Sequence, residues 1–143
     1  MVLGLEEGAR VALNVLIVDD DATIRRILSR LLEKRFGAVV REAVDGLAGF
    51  LAADAEPPDL VLLDVAMPIV DGPDLLAKLR ADPRFANLPV ITISAAGERD
   101  VVMRMIELGV ADYLRKPLNL AAVEKRLVRV LTATGHLLPE TMR

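Results

Sequence analysis

The sequence predicts an α/β domain built on a doubly wound parallel sheet, and three observations lead there. Short aliphatic runs alternate five times with stretches of helical periodicity. The clearest of those runs are nearly unbroken Val, Leu and Ile, the pattern of strands covered on both faces. Apolar residues make up 53% of the chain while aromatics make up only 3%, so the core has to be aliphatic. The 143 residues suffice for one domain with one core.

Leu13 to Val18 (LNVLIV) is the first strand and ends abruptly in three acids. Ile24, Ile27, Leu28, Leu31 and Leu32 then recur at helical spacing, placing Arg25, Arg26, Arg30 and Lys34 outward. Asp21 is a candidate cap for this helix and Gly37 its stop. Ala38 to Ala43 is a weaker strand, and Asp45-Gly46 opens a short helix that ends before Pro57-Pro58. Leu60 to Leu63 is a buried strand that runs into Asp64. Asp71-Gly72-Pro73 starts the third helix, with Pro73 suited to a first turn. Pro89 to Ile93 is the fourth strand, stopping at Ser94, and the fourth helix spans about Glu98 to Leu108 before Gly109. Ala111 to Leu114 is the fifth strand. Asn119 can cap a last helix whose inner face is Leu120, Val123, Leu127, Val130 and Leu131. The expected organisation is an extension over 1–12, the domain over 13–132 and a tail over 133–143. His136, the only histidine, is expected to be a solvated tail residue.

Composition removes several function classes. With no Cys there are no disulfides, zinc–thiolate sites or thiol nucleophiles. A net charge of −3 with mixed signs and no basic block gives no reason to expect direct nucleic-acid binding. No run approaches the roughly 18 apolar residues of a membrane span, and Met1 to Arg10 has no signal-peptide pattern. A cytoplasmic location is the expectation.

The chemistry emerges at the strand ends. Open α/β sheets bind ligands beyond the carboxyl ends of their strands, where the strand order reverses. Strand 1 ends in Asp19-Asp20-Asp21, strand 3 in Asp64, strand 4 in Ser94, and strand 5 leads to Lys116. In a flavodoxin-like order 2-1-3-4-5, strands 1 and 3 are neighbours, so Asp19, Asp20 and Asp64 converge. Crowded carboxylates repel and call for a cation. Magnesium suits them, because it takes hard oxygen ligands and combines one or two carboxylates with phosphate oxygens. A single Asp after a strand is usually a helix cap, and Asp21 fits that reading. Capping or solubility does not account for acids, a hydroxyl and a lysine at four strand ends together.

With these residues in hand, the chain resembles the receiver domain of two-component response regulators, over about residues 13–132. The motifs stand as LIVDDD, LVLLDVAMP followed by DG, ITISA, and ADYLRKP. The intervals from Asp20 to Asp64, Ser94 and Lys116 equal those of chemotaxis-type single-domain regulators, without insertion or deletion. The resemblance implies that Asp64 is the phosphoacceptor, receiving its phosphoryl group from a histidine kinase or histidine phosphotransfer protein. It implies Mg2+, with Mn2+ as a substitute, bound by Asp20 and Asp64, by the Ala66 backbone carbonyl, and by Asp19 through a water. Ser94 would hydrogen-bond the phosphoryl group and Lys116 would pair with it, and the Lys116-Pro117 bond would be cis. Ser94 and Tyr113 would act as the switch pair. For Tyr113 the plainer alternative is a partly exposed strand residue stacking on the fourth helix.

Val102, Ile106, Tyr113, Arg115 and Arg126 map to the face with which related regulators bind partners; for Val102 and Ile106 a wider core face is the other reading. A downstream protein target and a phosphorylation-dependent homodimer follow from that resemblance, and a turnover enzyme does not. Ala66 and Ala96 stand where relatives carry polar residues that influence water access, and Pro73 replaces a more usual aliphatic residue. A haloacid-dehalogenase-type phosphatase would need a second acid two residues after the nucleophile, where this chain has Ala66. A nucleotide- or flavin-binding module would need a Gly-rich or Ser/Thr-rich loop after strand 1, where this chain has three acids. The remaining alternative is a receiver excised from a larger regulator with an output domain.

Overall fold

The computed structural model describes residues 12–137 other than 69 and 96; the 1–11 part of the N-terminal extension, Ala96, and residues 138–143 of the tail lie outside the described residues. Elements alternate in the expected series: β1 (Asn14–Val18), α1 (Ala22–Phe36), β2 (Val39–Ala43), α2 (Gly46–Ala55), β3 (Leu60–Asp64), α3 (Gly72–Ala81), a 3-10 turn (Pro83–Phe85), β4 (Val90–Ser94), α4 (Arg99–Glu107), β5 (Asp112–Arg115) and α5 (Leu120–Ala133). The five strands pair in parallel in the order β2-β1-β3-β4-β5. The strand order therefore reverses between β1 and β3.

Period-two alternation sorts the aliphatic strands into two cores. Val15 and Ile17 of β1 pack with Leu28 and Leu32 of α1 and with Val123 and Leu127 of α5. Leu16 and Val18 face the other way, toward Leu75, Leu76 and Leu79 of α3 and Met105 of α4. Both faces are covered, which is why these strands read as unbroken apolar runs rather than alternating ones.

The helix boundaries follow local chemistry. The Asp21 carboxylate accepts from the Thr23 and Ile24 amides, and Gly37 closes α1 at φ 62°, where a side chain would be strained. Asn119 caps α5 by accepting from Ala122 N–H. Three expectations need correction. Arg25 does not turn outward: its guanidinium donates to the Asp19 carbonyl at 2.7 Å and pairs with Glu42 at 3.0 Å. Leu120 is 49% exposed rather than part of the inner face, since it is the first residue of α5 and precedes the buried stripe that begins at Val123. His136 is half-buried rather than solvated; its ring lies 2.7 Å from the Thr134 hydroxyl and 3.6 Å from the Asp59 carboxylate.

Packing also continues past α5. The amides of His136 and Leu137 both donate to the Leu131 carbonyl, and the Leu137 side chain is buried in the α1/α5 core. Ending the chain at Gly135 is expected to lower stability by about 1.5–3 kcal/mol, the value of one buried leucine; urea unfolding of the two chains measures it.

Gly72 shows a tighter constraint. A Cβ there would fall 2.8 Å from the Val65 Cα and closer still to the Asp64 carbonyl oxygen. The start of α3 thus rests directly on the backbone that carries Asp64. Gly72→Ala is expected to destabilise by about 1–3 kcal/mol, because backbone cannot move aside as a flexible side chain can; the urea midpoint reads this.

Candidate functional site

At the carboxyl ends of β1 and β3 the chain brings three acids together. Asp19, Asp20 and Asp64 each place a carboxylate oxygen within 4.8 Å of the others. Asp19 and Asp64 are buried while Asp20 stands exposed at the rim. The backbone fixes them: Asp19 N–H donates to the Ala43 carbonyl, and Val65 N–H to the Ile93 carbonyl. Asp19 Oδ1 accepts from Asp21 N–H at 2.8 Å, and Asp64 Oδ1 accepts from Ala66 N–H at 3.4 Å.

Lys116 reaches in from the loop after β5. Its Nζ lies 3.4 Å from Asp19 Oδ2 and 3.6 Å from Asp64 Oδ1. The Lys116-Pro117 peptide bond is cis. Lys116 N–H donates to the Ser94 carbonyl at 2.7 Å, tying the lysine to the end of β4. Ser94 is buried and lies one residue beyond Ile93, the residue that pairs with Asp64.

The electrostatics describe a site short of positive charge. Burial raises the Asp64 pKa, Asp19's charge raises it further, and Lys116 and the Ala66 amide only partly oppose them, leaving it at about 7. Asp19 is also raised, chiefly by burial, against the Asp21 amide and Lys116. Burial works against the Lys116 charge, yet Asp19 and Asp64 together outweigh it and its pKa is raised. Asp19 Oδ2 is buried without a hydrogen-bond partner, since Lys116 approaches it as an ion pair only. An unpartnered buried carboxylate oxygen, two further acids and one exposed edge fit a hard divalent cation that keeps several waters.

The remaining residues of interest lie to one side, around α4 and β5. Tyr113 is 40% exposed, and the Arg126 guanidinium stands 4.8 Å above its ring. Val102 is partly buried against the core, whereas Ile106 is exposed and Arg115 is exposed on β5. A cavity of about 310 Å3 opens between the end of β4, α4 and β5, lined by Ser94, Glu98, Val102, Ile106, Tyr113 and Arg115. Arg25 is the supporting residue that sequence periodicity missed, since an Arg on a helix surface normally faces water; here it braces the Asp19 carbonyl.

Fold and site together define a domain that gathers three acids and one lysine at the switch point of a parallel sheet, with buried Ser94 at the end of neighbouring β4. The chain belongs to the response regulator receiver domain family, whose model matches residues 15–128. It is 35% identical over 118 residues to chemotaxis protein CheY-3 of Vibrio cholerae, covering 82% of this chain and 91% of that protein. It is 40% identical over 116 residues to the DNA-binding dual master transcriptional regulator RpaA of Synechocystis, covering 81% of this chain but 46% of that protein. A hybrid signal transduction histidine kinase D of Dictyostelium discoideum is 31% identical over 82% of this chain, which spans only 8% of that kinase. Among solved structures, chemotaxis protein CheY4 of Vibrio cholerae superposes with a TM-score of 0.78 at 27% identity, covering 85% of this chain and 100% of that one. Among the described residues, no helix is long and apolar enough to cross a membrane.

Proposed function

We propose that this receiver is a phosphorylation-driven switch in which Asp64 takes a phosphoryl group from the phosphohistidine of a histidine kinase or a histidine phosphotransfer protein. The observation that carries this reading is the buried Asp64 carboxylate, grouped with Asp19 and Asp20 and 3.6 Å from Lys116 at the sheet's switch point. An Asp64 oxygen attacks phosphorus, the phosphorus–nitrogen bond to the donor histidine breaks, and the imidazole leaves with the electron pair and takes a proton from solvent. Asp20, Asp64, the Ala66 carbonyl and, through water, Asp19 would hold Mg2+, or Mn2+ in its place. The bound ion supplies neutralisation of charge on the phosphoryl oxygens. Lys116 supplies a second, fixed positive charge to the same oxygens.

The phosphorylated carboxylate carries more charge and three strong acceptor oxygens. Ser94 donates its hydroxyl to one of them, and Tyr113 turns into the space beside Ser94. The face made by Val102, Ile106, Tyr113, Arg115 and Arg126 changes shape as a pre-existing equilibrium shifts. That face meets a downstream protein or a second copy of the chain. The domain's output is its modified state rather than a turned-over product.

Incubation with magnesium and acetyl phosphate, read by intact mass, tests this. The parent is expected to gain one phosphoryl group and Asp64→Asn none; equal adducts in both would defeat the proposal.

A further inference from the structure

Beside Tyr113, the side chains of Arg126, Asp112 and Arg129 form a chain of contacts. Arg126 lies over the Tyr113 ring, 4.8 Å from its centroid. The same guanidinium is held by the residue next to Tyr113 on β5: Arg126 Nη1 donates to Asp112 Oδ1 at 2.6 Å. Asp112 Oδ1 also accepts from the Tyr113 amide at 2.8 Å, so the carboxylate cannot swing away without releasing the backbone. Arg129 Nη1 approaches the other oxygen, Asp112 Oδ2, at 3.9 Å. The Asp112 side chain is only 10% exposed, and that of Arg126 32%. Asp112 Oδ2 is buried and has no hydrogen-bond partner, so Arg126 and Arg129 supply the charge that keeps this carboxylate buried.

We infer that Asp112 and Arg126 form a latch that holds the Tyr113 ring outward and so sets how strongly the resting domain resists switching. Arg126 is a positioning residue here: it acts on the ring, not on the acids. The competing place for the ring is the cavity of about 310 Å3 that Tyr113 already borders beside Ser94, Val102 and Ile106. A cation stacked on a partly exposed ring favours the outward position about two- to fivefold. Removing it moves the population toward the cavity by that factor, and nothing in the phosphorylation site has to change. The switching role of Tyr113 itself rests on the function proposed above.

The chain offers a direct probe, because it has one Tyr and no Trp. Fluorine NMR of the full chain labelled with 3-fluorotyrosine, together with acrylamide quenching of tyrosine emission, reports on Tyr113 alone. Arg126→Gln, Arg126→Lys and Asp112→Asn are compared with the parent before and after acetyl phosphate and magnesium, with urea unfolding to confirm that each variant folds. The latch predicts that unphosphorylated Arg126→Gln shifts two- to fivefold toward the shielded ring. Arg126→Lys keeps most of the parent's signal, and Asp112→Asn falls between. A ring in Arg126→Gln that is as accessible as the parent's, or more so, overturns the latch. A parent ring that does not respond to phosphorylation overturns the switching role of Tyr113 instead, while a shielded ring in Arg126→Gln would still uphold the latch.

Discussion

Asp64→Asn is expected to make the metal-free protein more stable than its parent at neutral pH, by about 1–3 kcal/mol. The carboxyl has an ordinary value of 3.8 and stands at about 7 in the folded domain, raised first by burial and then by the charge of Asp19. Between those values the unfolded chain has lost its proton while the folded domain retains it. Rising pH therefore erodes the parent's stability across that window, and above it the full penalty is present. Asn has the same size and no charge to bury. The gap between variant and parent should be widest above about 7 and close as the pH falls toward 3.8. Urea unfolding in a chelator at several pH values measures it. On the proposed function, added magnesium should narrow the gap from the other side, through binding to the folded parent's acids, one of which the variant has lost.

Lys116→Ala is expected to act in the opposite direction, destabilising the metal-free protein by about 2–3 kcal/mol at neutral pH. The lysine pairs with both Asp19 Oδ2 and Asp64 Oδ1, and these two acids are nearly inaccessible to water. Removing the cation leaves two buried carboxyls with no fixed counter-charge. Its own pKa is raised above 10.5, so its contribution is complete through the neutral range and fades only in alkali. The loss should shrink in acid, where the carboxyls take protons, and should shrink again in an Asp64→Asn background, where one carboxylate has gone. A double-mutant cycle over those two positions isolates the coupling. On the proposed function, the same substitution is expected to suppress phosphoryl transfer to Asp64, since it removes the fixed charge assigned to the transferred group.

Most of the fold was legible because its signals are local. Aliphatic runs marked the strands, Asp21 and Asn119 marked helix starts, Gly37 marked a stop, and the acids at the ends of β1 and β3 marked the site. What escaped depends on neighbours distant in sequence. Helical spacing puts Arg25 on the solvent side of α1, but the end of β1 and Glu42 draw it in. Leu120 continues the apolar series of α5 yet precedes its buried stripe, while Leu137 follows the helix and still finds the core. Arg80 gives no sign in sequence that its guanidinium binds the carbonyls of Phe85, Leu88, Leu108 and Gly109, joining α3 to the far end of α4. The place of Gly72 as a glycine depends on the Asp64 backbone beneath it, eight positions earlier in the chain. Within the site, residue types and order were readable; the imbalance of charge, with Asp64 raised to about 7, was a matter of burial and distance.

The most direct measurement traps the phosphoryl group chemically. After incubation with a phosphorylated histidine kinase or acetyl phosphate and magnesium, borohydride reduces an aspartyl phosphate to homoserine, and peptide sequencing by mass spectrometry locates it. A phosphoacceptor at Asp64 gives homoserine at position 64 and unmodified Asp at 19 and 20. Homoserine at Asp19 or Asp20, or none at any of the three in a protein that had gained a phosphoryl group, would contradict it.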